Sequence, residues 1–93
     1  MNTQHIGSDF DDFLAEEGLL AEAEAVAIKR VIAFQIEKVM EEQNLSKSEM
    51  ARRMNTSRSA LNRLLDPENT SITLLTVARA ALGVNKRVRF EFV

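Results

Sequence analysis

The chain has 93 residues, 45% of them hydrophobic, with no cysteine, a single histidine and a formal net charge of −2. A chain of this length suits one small domain. The absence of cysteine excludes a disulfide framework and a thiolate zinc site, and no apolar run approaches the roughly 20 residues of a membrane span.

The net charge is an average over two unlike parts. Residues 1–25 carry Asp9, Asp11, Asp12, Glu16, Glu17, Glu22 and Glu24 with no Lys or Arg. All 12 Lys and Arg follow, against the seven remaining acids. Between Leu45 and Leu65 there are Lys47, Arg52, Arg53, Arg58 and Arg63 against Glu49 alone. Screening confines an exposed charge to about 10 Å, so the local sign decides what docks locally. An acidic total therefore does not exclude a nucleic-acid partner.

In chain order, residues 1–8 lack periodicity and read as a disordered tail, in which His5 is a solvated residue rather than a metal ligand. They also lack the cationic segment and apolar core of a secretory leader, so a cytoplasmic protein is expected. Asp9 can cap a short helix over Phe10–Glu17, with Phe10, Phe13 and Leu14 on its apolar side and Gly18 as its C-cap. This acidic arm either folds onto the protein's own core or docks a basic partner. Leu19–Gln43 has no Pro or Gly and favours a long helix. Its predicted buried stripe is Ile28, Val31, Ile32, Ile36, Val39 and Met40. Lys29, Arg30 and Lys38 read as a solvated face. Phe34 lies off the stripe, either as an incidental exposed residue or as a contact with another subunit.

The stretch Leu45–Asp66, LSKSEMARRMNTSRSALNRLLD, organises the rest. Ser46 and Glu49 form a capping box, with Leu45 and Met50 as the matching staple. Met50, Ala51 and Met54 make a small apolar stripe, and Asn55 suits a left-handed C-terminal turn. Ser57 then caps a second helix, in which Ala60, Leu61, Leu64 and Leu65 share one side. Ser59, Asn62 and Arg63 face the other way, with Arg58 at the N-terminal edge. Two short helices, a tight turn and a cationic outer face constitute a helix-turn-helix pattern.

Asp66-Pro67 breaks the chain, since proline disfavours helix in the residue before it. Thr73 can cap a further helix between a staple of Ile72 and Val77, with Leu74, Leu75, Ala78, Ala81 and Leu82 as its buried stripe. Gly83 ends that helix, Val84 packs back, and Arg79 faces solvent. In residues 87–93 the period changes to two. Val88, Phe90 and Phe92 alternate with charged residues, as in a half-buried strand. No second strand is legible, so this one must pair with another edge: its own copy across a two-fold axis, or a strand of a different protein.

Arginine bidentate to guanine and asparagine to adenine are the common major-groove contacts, and Ser59 can donate or accept. Arg58, Ser59, Asn62 and Arg63 are thus the candidate base readers. Ser46, Lys47, Thr56 and Ser57 stand at helix N-termini, where amides and the helix dipole favour phosphate. Arg53, like Arg52, either adds a phosphate contact or is merely solvated. There is no Gly-rich phosphate loop and no convergent acid–base cluster, so neither an enzyme nor a cofactor or metal is expected.

Leu45–Asp66 resembles the helix-turn-helix of phage repressors and Xre-like regulators. The longer run ARRMNTSRSALNRLLDPENTSITLLTVARAALG is more similar to small antitoxins of the HigA kind. The resemblance covers roughly Phe10–Val93, with Asn55 standing where the family usually has glycine. The chain divides into an arm (1–18), a helix-turn-helix domain (19–84) and a dimerisation strand (85–93). The resemblance implies an all-α, lambda-repressor-like bundle of four to five helices, to which the alternating pattern adds one C-terminal β-strand pairing across a homodimer. It also implies a repressor of a near-palindromic operator in double-stranded DNA, acting as the antitoxin of a cognate toxin. A stand-alone regulator and an interaction module without DNA binding are the alternatives.

Overall fold

The computed structural model describes the backbone from residue 3 to residue 93, and the side chains from residue 16 onward. Four helices follow in order: α1 (Thr3–Glu42), α2 (Lys47–Met54), α3 (Arg58–Leu65) and α4 (Leu74–Gly83). Among the described residues there is no strand, so the fold is all-α. α1 already runs from Thr3, so Asp9 lies inside a helix rather than capping one, and the disordered tail expected at residues 1–8 is helical from Thr3 onward. The readings of His5 and of the Phe10–Phe13–Leu14 stripe concern side chains outside the described residues.

α1 runs unbroken through Gly18, which corrects the expected break there. A lone glycine in a helix interior costs about 1 kcal/mol relative to alanine. The following LLAEAEAVAIK, rich in strong helix formers, carries the helix through. A Cβ added at Gly18 would meet nothing within 4 Å, so the site has neither a close neighbour nor a turn to favour glycine. Among the described side chains, those from Glu16 to Glu24 are all exposed, and the first partly buried one is Ala25. α1 is about 60 Å long at 1.5 Å per residue, and it docks by its C-terminal half.

The core lies where that half meets the three short helices. Met50, Met54, Leu61 and Leu64 are fully buried at its centre. Met40, Ala51, Leu65, Val77, Ala80 and Val84 complete it, and Ile32, Ile36, Val39, Leu45 and Ile72 pack around it half-buried. Leu45 and Ile72, the outer members of the two expected staples, are half-buried against the core to which Met50 and Val77 belong.

Two predicted stripes are rotated from their expected faces. On α1, Ile28 and Val31 are more than half exposed, whereas Lys29 and Ala33 are buried. Spacing fixes the period of a helix but not which flank of a wide apolar stripe points inward, and small Ala33 permits close approach. On α4, Leu74, Leu75, Ala78 and Leu82 are exposed, and Val77, Ala80 and Val84 take the inward side. Gly83 stands against Arg53 and Met54 of α2. Ile28 and Val31 instead line an open groove of about 770 Å³ between α1 and α4, bordered by residues 86–90. Phe34 is 65% exposed on α1.

The C-terminal strand expected at 87–93, with Val88, Phe90 and Phe92 on one face, is not formed in this chain. The segment is irregular and exposed. The physical reason is the hydrogen-bond accounting of the sequence itself: a lone strand has no ladder unless a second edge is supplied.

Candidate nucleic-acid interface

α2 and α3 are set by their ends. Ser46 is extended and its Oγ accepts from the Glu49 amide at 3.1 Å. The return half of the expected capping box is absent among the described hydrogen bonds. The Glu49 carboxylate instead accepts from Arg52 Nε at 3.0 Å and from Arg53 Nε at 3.4 Å. The hydrogen bond from Arg52 holds the Glu49 carboxyl below its ordinary value, partial burial opposes this, and Arg53 assists. Arg52 is raised in turn, first by the same hydrogen bond.

At the turn, Asn55 is left-handed with φ 54°. The Asn55 amide donates to Arg52 O at 3.1 Å and the Thr56 amide to Ala51 O at 3.0 Å, which is a Schellman closure. Ser57 is extended and its Oγ accepts from the Ala60 amide at 3.0 Å, starting α3 within three residues. The turn geometry expected at Asn55 and the cap expected at Ser57 are thus both present.

α3 buries Leu61, Leu64 and Leu65 and leaves Arg58, Ser59, Asn62 and Arg63 exposed together. Among the described residues none of these four side chains makes a hydrogen bond or an ion pair within the chain, so their donors are available to a partner. Ser46, Lys47 and Ser57 are also exposed, and Thr56 is half-buried in the turn. Arg53 differs. Its guanidinium reaches Glu49, and its Nη1 also donates to Gly83 O at 3.3 Å and Gln43 Oε1 at 3.4 Å. It therefore braces α2 against the ends of α1 and α4, with only part of its donor set left for phosphate. Gln43 adds a second brace, its Nε2 donating to Val84 O at 3.1 Å.

A helix of eight residues, capped at its start, with its apolar side in the core and its cationic polar side bare, follows a three-residue turn from a second capped helix. The profile of the family described as a helix-turn-helix domain matches residues 14–91. The chain belongs to this helix-turn-helix domain family. No curated protein and no solved structure matches it. In the helix-turn-helix domain, α2 is the supporting helix and α3 the one presented outward, as carried by DNA-binding regulators. No helix of the described residues is long and apolar enough to cross a membrane.

Lys29 departs from the solvated face expected for it and is 2% exposed. Its Nζ donates to Arg63 O at 3.0 Å and to Asp66 O and Asn69 O at 2.6 Å each. The signal was present in the spacing: Ala25, Lys29, Ile32 and Ile36 recur at four, three and four, which puts the lysine in the middle of a core-facing stripe.

Proposed function

We propose that this helix-turn-helix domain is a sequence-specific DNA-binding repressor that inserts α3 into the major groove. The observation that carries the reading is the two-sidedness of α3. Leu61 and Leu64 are fully buried while Arg58, Ser59, Asn62 and Arg63 stand exposed and unengaged on the other side. Arg58 and Arg63 suit guanine and Asn62 suits adenine. Ser46, Lys47, Thr56 and Ser57, at or near helix N-termini, flank them as phosphate contacts, joined by the free part of Arg53 from the last turn of α2.

The domain acts as a homodimer on a near-palindromic operator, with half-sites about one helical turn apart. Support comes from the alternating Val88, Phe90 and Phe92, whose backbone lacks a ladder within the chain and would gain one from a second copy. The resemblance to HigA-type antitoxins supports a further role in neutralising a cognate toxin. The exposed acidic stretch Glu16–Glu24 of α1 offers a basic toxin a complementary surface.

Selection of binding sites from random duplexes, followed by titration of Arg58→Ala and Arg63→Ala, tests the reading. Each variant should lose about 1–3 kcal/mol on the selected site and relax base choice at one position. Equal losses on all duplexes would make the two residues phosphate contacts. A wild-type chain that enriches no sequence would leave an interaction module that does not bind DNA. Deletion of Arg87–Val93 should give monomers in sedimentation, and an intact dimer would refute pairing through that segment. Co-purification with a co-encoded small basic protein would separate an antitoxin from a stand-alone regulator.

A further inference from the structure

Three of the four helices close in the same manner. After α1, α2 and α4 an asparagine takes the left-handed conformation: Asn44 at φ 54°, Asn55 at φ 54° and Asn85 at φ 61°. In each case the next amide turns back five residues, from Leu45 to Met40 O, from Thr56 to Ala51 O and from Lys86 to Ala81 O. Two of the last carbonyls of each helix are satisfied locally in this way.

α3 ends differently. Its cap, Asp66, is extended with ψ 113°, because Pro67 follows and bars the helical region to the residue before it. The chain leaves α3 without folding back over its carbonyls. The Arg63 carbonyl is met from outside the helix by Lys29, which also holds the Asp66 and Asn69 carbonyls. An ammonium has three N–H donors and no acceptor, and here each donor has one carbonyl. Burial lowers the Lys29 pKa from its ordinary value, and the Asp66 carboxylate opposes the shift. The three carbonyls and the negative end of α3 also favour the charged form. The loop beyond is stiffened by two side-chain turns, Glu68 N to Asp66 Oδ1 and Ser71 N to Asn69 Oδ1, both 2.9 Å.

We propose that Lys29 is a positioning residue for base reading, fixing the far end of α3 to α1 and thereby the angle at which Arg58, Ser59, Asn62 and Arg63 meet DNA. The proposal rests on the DNA-binding reading above. Arg63 joins the two roles, its carbonyl held from the inner side and its side chain presented on the outer. α3 is about 12 Å long. A tilt of about 10° would move its far end by about 2 Å, well beyond the tolerance of roughly 0.5 Å that a preorganised site requires. An apolar residue at position 29 would fill the space without defining that angle.

The test uses the full chain with Lys29→Met, which keeps length and removes all donors, and Lys29→Gln, which restores part of the donor set. Affinity is measured on the wild-type-selected duplex and on a scrambled duplex. Lys29→Met should lower the ratio of the two affinities roughly tenfold, comparable to one bidentate base contact, while binding to the scrambled duplex changes little. Lys29→Gln should recover part of the ratio. A folded Lys29→Met chain with an unchanged ratio would overturn the proposal. A wild-type chain without sequence preference would instead sink the DNA reading. Amide exchange then decides the remaining part: in Lys29→Met it should accelerate at residues 63–69 and not in α2 or α4. Should both variants fail to fold, the wild-type ammonium decides, because a solvent-protected Lys29 NH₃⁺ resonance is expected and its absence refutes the arrangement.

Discussion

Arg53 lies directly against Gly83. Its Nη1 donates to the Gly83 carbonyl at 3.3 Å, and a Cβ added at Gly83 would stand 3.4 Å from the Arg53 Cβ and 3.6 Å from Met54 Cγ. α4 thus packs against α2 through a glycine, with Leu74, Leu75 and Leu82 left exposed. The left-handed turn after α4 is made by Asn85, while Gly83, the expected last residue of that helix, stays helical. Its value is space. A methyl there reaches ordinary van der Waals contact and gains about 1 kcal/mol of helix propensity, so Gly83→Ala should leave stability within about 1 kcal/mol of wild type. Gly83→Val adds branches toward Arg53 and Met54 and should cost roughly 1–3 kcal/mol by overpacking. Urea unfolding of the two variants checks the contrast, and two equal midpoints would show that the approach is loose.

The three left-handed asparagines predict a second contrast. Asn55→Gly should be neutral or slightly stabilising, because glycine enters this region without strain. Asn55→Ala should cost roughly 1–2 kcal/mol, since a Cβ is disfavoured there and alanine lacks the local hydrogen bonding of asparagine. The same order should hold at Asn44 and Asn85. Thermal unfolding of the paired variants reads it out, with alanine below glycine at every site.

What the sequence made legible is mostly local. Ser46, Ser57 and Thr73 each cap a helix as the residue pattern predicts, and Asn55 turns as its chemistry allows, because each of these events is complete within five residues. The polar side of α3 followed from the spacing of Leu61, Leu64 and Leu65. The rotation of α1 and α4 about their own axes did not follow, since it depends on which small residue admits a neighbouring helix. Lys29 and Arg53 were hidden for the same reason. The three partners of Lys29, and the Gly83 partner of Arg53, lie 30 or more residues away and are backbone carbonyls, which carry no side-chain signature. The terminal segment is the opposite case, where a clear period of two finds no ladder within a single chain.

Ser57 makes one side-chain bond, to the Ala60 amide, at the start of the helix on which the proposed function depends. Ser57→Ala should cost about 1 kcal/mol, and Ser57→Asp should restore most of it as an alternative cap. The two substitutions should part company on DNA. Ser57→Asp places a negative charge where a phosphate is proposed, so it should bind any duplex less well than Ser57→Ala despite its greater stability. Equal affinities would remove Ser57 and the neighbouring N-terminus from the phosphate contacts.

Glu49 sets a limit on how much positive charge α2 can present. Its carboxyl is held below the ordinary value of 4.5, chiefly by the hydrogen bond from Arg52. A carboxyl whose folded-state pKa is depressed contributes stability that is fully present above the unfolded value and is lost as pH falls through the folded one. The stability difference between wild type and Glu49→Gln should therefore be constant near neutrality and shrink as pH drops below about 4.5. The group is exposed, so the difference should be small and reduced by salt. On DNA the sign reverses. Glu49→Gln removes the single acid among five cations between Leu45 and Leu65 and releases Arg52 and part of Arg53. It should tighten binding to selected and scrambled duplexes alike and steepen the dependence of affinity on salt, by up to about one unit of slope for each arginine that gains a phosphate. Binding that weakens, or a slope that stays fixed, would mean that α2 faces away from the duplex and that the docking proposed for α3 is wrong.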